Sequence, residues 1–133
     1  MLPHPMNTGS RLKSLAIVGG IALAGWAYCG AIMGILPPIV GMDTALLVHL
    51  TGAPLGFAAL AFVYHRRWPH YPALTTAAAF VAIVMVLDAL LVAPIFLGSF
   101  EMFRSVIGTW LPFALIFLAS WGTGVWALRR PSR

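Results

Sequence analysis

Apolar residues along this chain gather in four long runs, and the short stretches between them hold most of the charged and turn-forming residues. The runs cover roughly 14–36, 44–64, 73–97 and 105–128, and each passes the length of about 20 residues that a helix needs to cross a hydrocarbon core. Breakers mark the joints. Pro37-Pro38 is expected to stop the first helix, and Asp43 or Thr44 to cap the second. Pro69 and Pro72 bracket the turn into the third, and Gly98-Ser99 loosens the chain after it. Links this short leave no room for a crossover, so the pattern predicts an all-α integral membrane protein: a four-helix antiparallel, up-down-up-down transmembrane bundle. Residues 1–13 are then an N-terminal tail, 14–128 a single membrane domain and 129–133 a C-terminal tail.

Composition supports this picture, because 61% hydrophobic against 8% charged residues does not describe a water-soluble domain. The N-terminus, MLPHPMNTGSRLK before a long apolar run, resembles a signal peptide in outline. Length argues for an uncleaved first helix, since the run continues for about 23 residues, and Ala27-Tyr28-Cys29 is neither a small-x-small cleavage site nor a lipoprotein box.

The formal charge of +5 is not a nucleic-acid signal, because the positive residues sit at the ends of the apolar runs. Arg11, Lys13, Arg66, Arg67, Arg129, Arg130 and Arg133 all fall on one side of the predicted bundle, and the other side holds only Arg104 with Asp43 and Glu101. By the positive-inside rule both termini face the cytoplasm. A bacterial inner (cytoplasmic) membrane is the expected location, with the lipid bilayer as partner, no nucleic acid, and a homodimer or larger membrane complex as options. Tyr64, Trp68, Tyr71, Trp121 and Trp126 mark the headgroup level on the basic side, and Trp110 lies towards the other.

Small residues predict the packing faces, since helix association in lipid depends on close backbone approach. Helix one carries Gly20, Ala24, Ala27, Ala31 and Gly34 on one stripe. Helix two repeats the device with Ala45, His49, Gly52, Ala53, Gly56 and Leu60, which turns His49 into the bundle or towards a dimer interface. In helix four the stripe is Ser105, Thr109, Pro112, Ile116, Ala119 and Thr123. Pro54, Pro94 and Pro112 each free one carbonyl, those of Leu50, Leu90 and Gly108, and the hydroxyls of Thr51 and Thr109 are close enough in sequence to meet them.

One residue breaks the apolar pattern of the third run. Asp88 is a carboxylate inside a spanning segment, where an ionisable group costs several kcal/mol and is a functional candidate by default. His49 lies roughly 7 Å inside the outer edge, and Asp88 roughly 13 Å deep, or about 8 Å if Pro94 ends the helix at Ala93. The expectation is an outer-half polar pocket floored by Asp88 and His49, joined by Thr51, Thr109 and Tyr28, and rimmed by Glu101 and Arg104. Such a site suits proton-coupled transport or solute binding. Alternatively, Asp88 bridges helices by pairing with His49, Arg104 or a threonine hydroxyl, and the chain is a non-catalytic accessory or assembly subunit of a larger complex.

Enzyme chemistry ranks third. His49 and His65 are about 24 Å apart along one helix and cannot share a haem. A zinc site would have to be assembled from Cys29, His49 and Asp88 on three helices. There is no credible Ser-His-Asp spacing, no HExxH and no phosphate loop. No cofactor and no catalytic residue is expected, and a single cysteine excludes an internal disulfide.

Overall fold

The computed structural model describes residues 8–130, and over this range the chain is all-helical, with no strand. Helix α1 (Thr8–Ile35) is followed by a single turn, α2 (Pro37–Val40). Pro37-Pro38 therefore starts a new turn. Proline is suited to the first positions of a helix, where its missing N–H has no partner to lose. Gly41 then reverses the chain at φ 90°, and its N–H donates to the Pro37 carbonyl. It is also the N-cap of α3 (Met42–Arg67), so neither Asp43 nor Thr44 caps that helix.

Pro72 opens α4 (Ala73–Leu87), and from Asp88 to Leu97 the same span continues as a π-helix. Gly98, at φ 65°, ends it in a left-handed turn, and the N–H of Ser99 closes onto the Ala93 carbonyl. Pro94 sits inside the π segment and does not end the span. A 3₁₀ turn, Glu101–Arg104, and a π turn, Val106–Trp110, lead into α5 (Leu111–Arg129). The Ser105 hydroxyl accepts from the Gly108 N–H at 2.9 Å and caps that π turn. Both π stretches adjoin a proline, which lacks a backbone donor.

Four helical stretches, Gly9–Val40, Met42–Arg67, Ala73–Leu97 and Val106–Arg129, are long and apolar enough to cross a membrane. Their outer surface is correspondingly greasy: Leu55, Phe96, Ile39 and Leu12 are each more than 60% exposed. An exposed apolar surface of this extent is compatible with a membrane setting.

Packing proceeds round a ring in the order α1, α3, α5, α4, with α3 against α5 the most extensive contact. Helices α3 and α4, consecutive in sequence, barely touch and stand across the diagonal. Short links thus fix alternating direction but not neighbourhood. Tyr28 against Gly52 and Gly56 runs α1 antiparallel to α3, while Leu46 near Gly108 and Phe62 on Trp126 run α3 parallel to α5. The alternation brings Arg11, Lys13, Arg66, Arg67, Arg129 and Arg130 to one end; Arg133 lies outside the described residues.

The closely packed half lies towards that basic end. Phe57, Tyr64 and Phe80 are almost fully buried, with Phe57 and Phe80 ring centres 5.8 Å apart and Tyr64 edge-on to Phe80 at 6.5 Å. Gly25 admits the Phe57 ring, which occupies the space its Cβ would need. The small stripe expected to pack α1 points the other way: Gly20, Ala24, Ala27, Ala31 and Gly34 are all exposed. The inward face carries Ser14, Val18, Ala22, Gly25 and Cys29 instead.

Candidate functional site

Beyond the aromatic layer, away from the basic end, the helices part around a cavity of about 320 Å³. Its wall draws on α1, α3, the α4–π span, the 3₁₀ turn and the start of α5. The π segment contributes Asp88, Val92 and Leu97 to this wall. A π-helix is wider and shorter per residue than an α-helix, and such departures recur at functional sites.

Asp88, His49 and Thr109 all line the cavity, together with Cys29 and Trp26. The Trp26 indole N–H donates to Asp88 Oδ1 at 3.0 Å, and no Lys or Arg pairs with the carboxylate among the described residues. Neither His49, Arg104 nor a threonine is thus its hydrogen-bond partner there. Trp26 holds that role, and a buried indole N–H with one carboxylate in reach was the signal that could have shown it. His49 Nδ1 is buried and has no hydrogen-bond partner among the described residues. Thr109 is buried, and its hydroxyl donates to the Met102 carbonyl across the turn, not to the carbonyl freed by Pro112.

The other expected site residues stand outside the cavity wall. Tyr28 lies on the α1–α3 seam, its hydroxyl donating to the Gly52 carbonyl at 3.2 Å. Thr51 is exposed and bonds back to the Leu47 and Val48 carbonyls, an ordinary closure within one helix. Glu101 and Arg104 are exposed at the two ends of the 3₁₀ turn, and it is Met102 between them that faces the cavity. The tight turn splays these charges outward.

Among the described residues, Asp88 is the one Asp, Glu, Lys or Arg in the cavity wall, and its charge sets the energetics there. A hydrogen bond to a charged group contributes about 1.5–3 kcal/mol, whereas a carboxylate in hydrocarbon costs roughly 2.5 kcal/mol upward. One indole does not clearly offset that cost. A proton or another cation in the cavity would complete the balance. No three His, Cys, Asp or Glu side chains come together as a metal site among the described residues, so Cys29, His49 and Asp88 share the cavity without forming a zinc-type cluster.

A second polar group lies at the basic end. His65 is 3% exposed and Ser120 1% exposed; both imidazole nitrogens and the serine hydroxyl lack a hydrogen-bond partner among the described residues. Gly124 makes room for this imidazole, since a Cβ there would stand 2.8 Å from His65 Nε2. The sequence pattern placed His65 at the far end of its helix and gave no sign of its burial. No family model, no curated protein and no solved structure matches the chain, so the site is read from its own geometry.

Proposed function

We propose that the chain is a small multi-pass inner-membrane protein, with both termini cytoplasmic, that binds a cation in the cavity around Asp88 and His49 and moves it by proton-coupled transport. The observation that carries this reading is the convergence of Asp88, His49 and Thr109 on one cavity. Asp88 supplies the counter-charge, Trp26 orients it, and His49 offers a nitrogen not otherwise engaged. A carboxylate within a spanning segment is a functional candidate by default, as an ion or proton site. The basic end is the cytoplasmic one by the positive-inside rule, which makes the cavity open towards the outer half.

A second reading, an accessory subunit of a larger membrane complex, is favoured by the exposed stripe of Gly20, Ala24, Ala27, Ala31 and Gly34 on α1. Such stripes allow two helices to approach closely in lipid.

Ligand-dependent stability separates the two. A panel of alkali, organic ammonium and transition-metal cations is screened for a rise in the unfolding midpoint of the purified chain in detergent. A ligand at about 100 times its Kd adds about 2.7 kcal/mol. At least one cation is expected to raise the midpoint, and Asp88→Asn to abolish the rise while leaving the unliganded midpoint nearly unchanged. No stabilising cation, or a rise indifferent to Asp88→Asn, would favour the accessory role.

A further inference from the structure

We propose that the cation is a soft one, Cu(I), carried as cargo by the sulfur and imidazole groups of the cavity wall; this deepens the reading of the Asp88 cavity and rests on it. Three of the chain's six methionines, Met33, Met42 and Met102, line that single cavity. They are joined there by the thiol of Cys29, which is 7% exposed, and by His49, whose Nδ1 is buried with no partner among the described residues. Sequence spacing presents them in pairs. Cys29 and Met33 are four residues apart on one face of α1, and Met42 and His49 seven apart on one face of α3. Met102 enters from the 3₁₀ turn between Glu101 and Arg104.

What decides against a hard cation is the state of the oxygens. The Ser105 hydroxyl already accepts from the Gly108 N–H, the Thr109 hydroxyl donates to the Met102 carbonyl, and Asp88 Oδ1 accepts from Trp26. Calcium or magnesium needs about six oxygen ligands, and this wall does not offer them. Zinc prefers clustered thiolate, imidazole and carboxylate, and no such trio is present among the described residues. Thioether, cysteine thiolate and imidazole are soft donors that suit Cu(I). Cys29 would bind as the thiolate and give up its proton; Asp88, on the same wall, would take that proton, so that the cavity holding one Cu(I) is neutral.

The test uses the full chain purified in detergent, loaded anaerobically with Cu(I) kept reduced by ascorbate, with affinity read by competition against a coloured Cu(I) chelator. Ag(I), which has no accessible redox change, serves as a second probe. One Cu(I) retained per chain is expected, with Zn(II) unable to displace it. Methionine-to-leucine exchange conserves volume and costs under about 1.5 kcal/mol in a core. The triple variant Met33→Leu, Met42→Leu, Met102→Leu should therefore fold and elute as wild type, yet bind Cu(I) and Ag(I) about tenfold or more weakly. Cys29→Ser should weaken binding in the same direction. Failure to retain copper, or retention unchanged in the triple variant and in Cys29→Ser, would overturn the inference. If another cation stabilises the chain through Asp88 while Cu(I) does not bind, this inference falls and the cation-site reading stands; if nothing binds, both fall.

Discussion

The two halves of the bundle are built from the same kinds of residue and end in opposite states. Towards the basic end the helices are regular, and Phe57, Tyr64 and Phe80 fill the interior. Towards the other end the chain carries two π stretches, a 3₁₀ turn, Pro94 and Pro112, and the interior opens into the cavity. The irregular winding beside Pro94 and Pro112 is the difference. Each of these prolines removes a backbone donor, whereas Pro54 is carried within the continuous α3. On the proposed reading, stability resides in the first half and binding in the second, so variants should separate the two properties.

The largest effect is expected from breaking the packed half. Phe57→Ala should leave a cavity beside Phe80 and Gly25 and cost about 3–5 kcal/mol, read as a lower midpoint in detergent-denaturant unfolding. Gly124→Ala should cost less, about 1–3 kcal/mol, because the new methyl meets both His65 Nε2 and the Ala73 Cβ. In the open half the order of sensitivity reverses. Asp88→Asn should change stability little, since an amide oxygen can still accept from Trp26, while lowering cation affinity by about tenfold or more. The smallest effect belongs to Glu101→Gln with Arg104→Gln: these exposed groups should leave both stability, within about 0.5 kcal/mol, and cation binding unchanged. A loss of binding in that double variant would bring the charged rim back into the site.

Much of this architecture was legible in the residue pattern, and the exceptions have physical causes. The four spans, their alternation and the basic end follow from run length and charge placement, and the inward face of α3 follows from Ala45, His49, Ala53 and their neighbours. The α1 stripe, read as serving packing within the bundle or a symmetric dimer, does not pack within the chain; with Gly20 and Gly34 on one face and Ala22 and Gly25 on another, size alone does not say which face turns inward. Ring order was not encoded in link length. The π winding at Asp88–Leu97 depends on how the chain accommodates Pro94 against its neighbours. Asp88, His49 and Thr109 were recognisable as cavity residues because polar groups at matched depth stand out in an apolar span. Trp26, Met33, Met42 and Met102 were not, since indole and thioether side chains are also ordinary packing material.

The most direct test of the central claim is carbodiimide labelling of the detergent-solubilised chain, followed by peptide mass mapping of its three carboxyl side chains. A hydrophobic carbodiimide reaches carboxyl groups that face an apolar cavity, so Asp88 should be modified ahead of Asp43 and Glu101, and a bound cation should slow that modification by about tenfold or more. An Asp88 that is unreactive, or that reacts at the same rate with and without every cation tried, would contradict a cation site and leave Asp88 as a contact between helices.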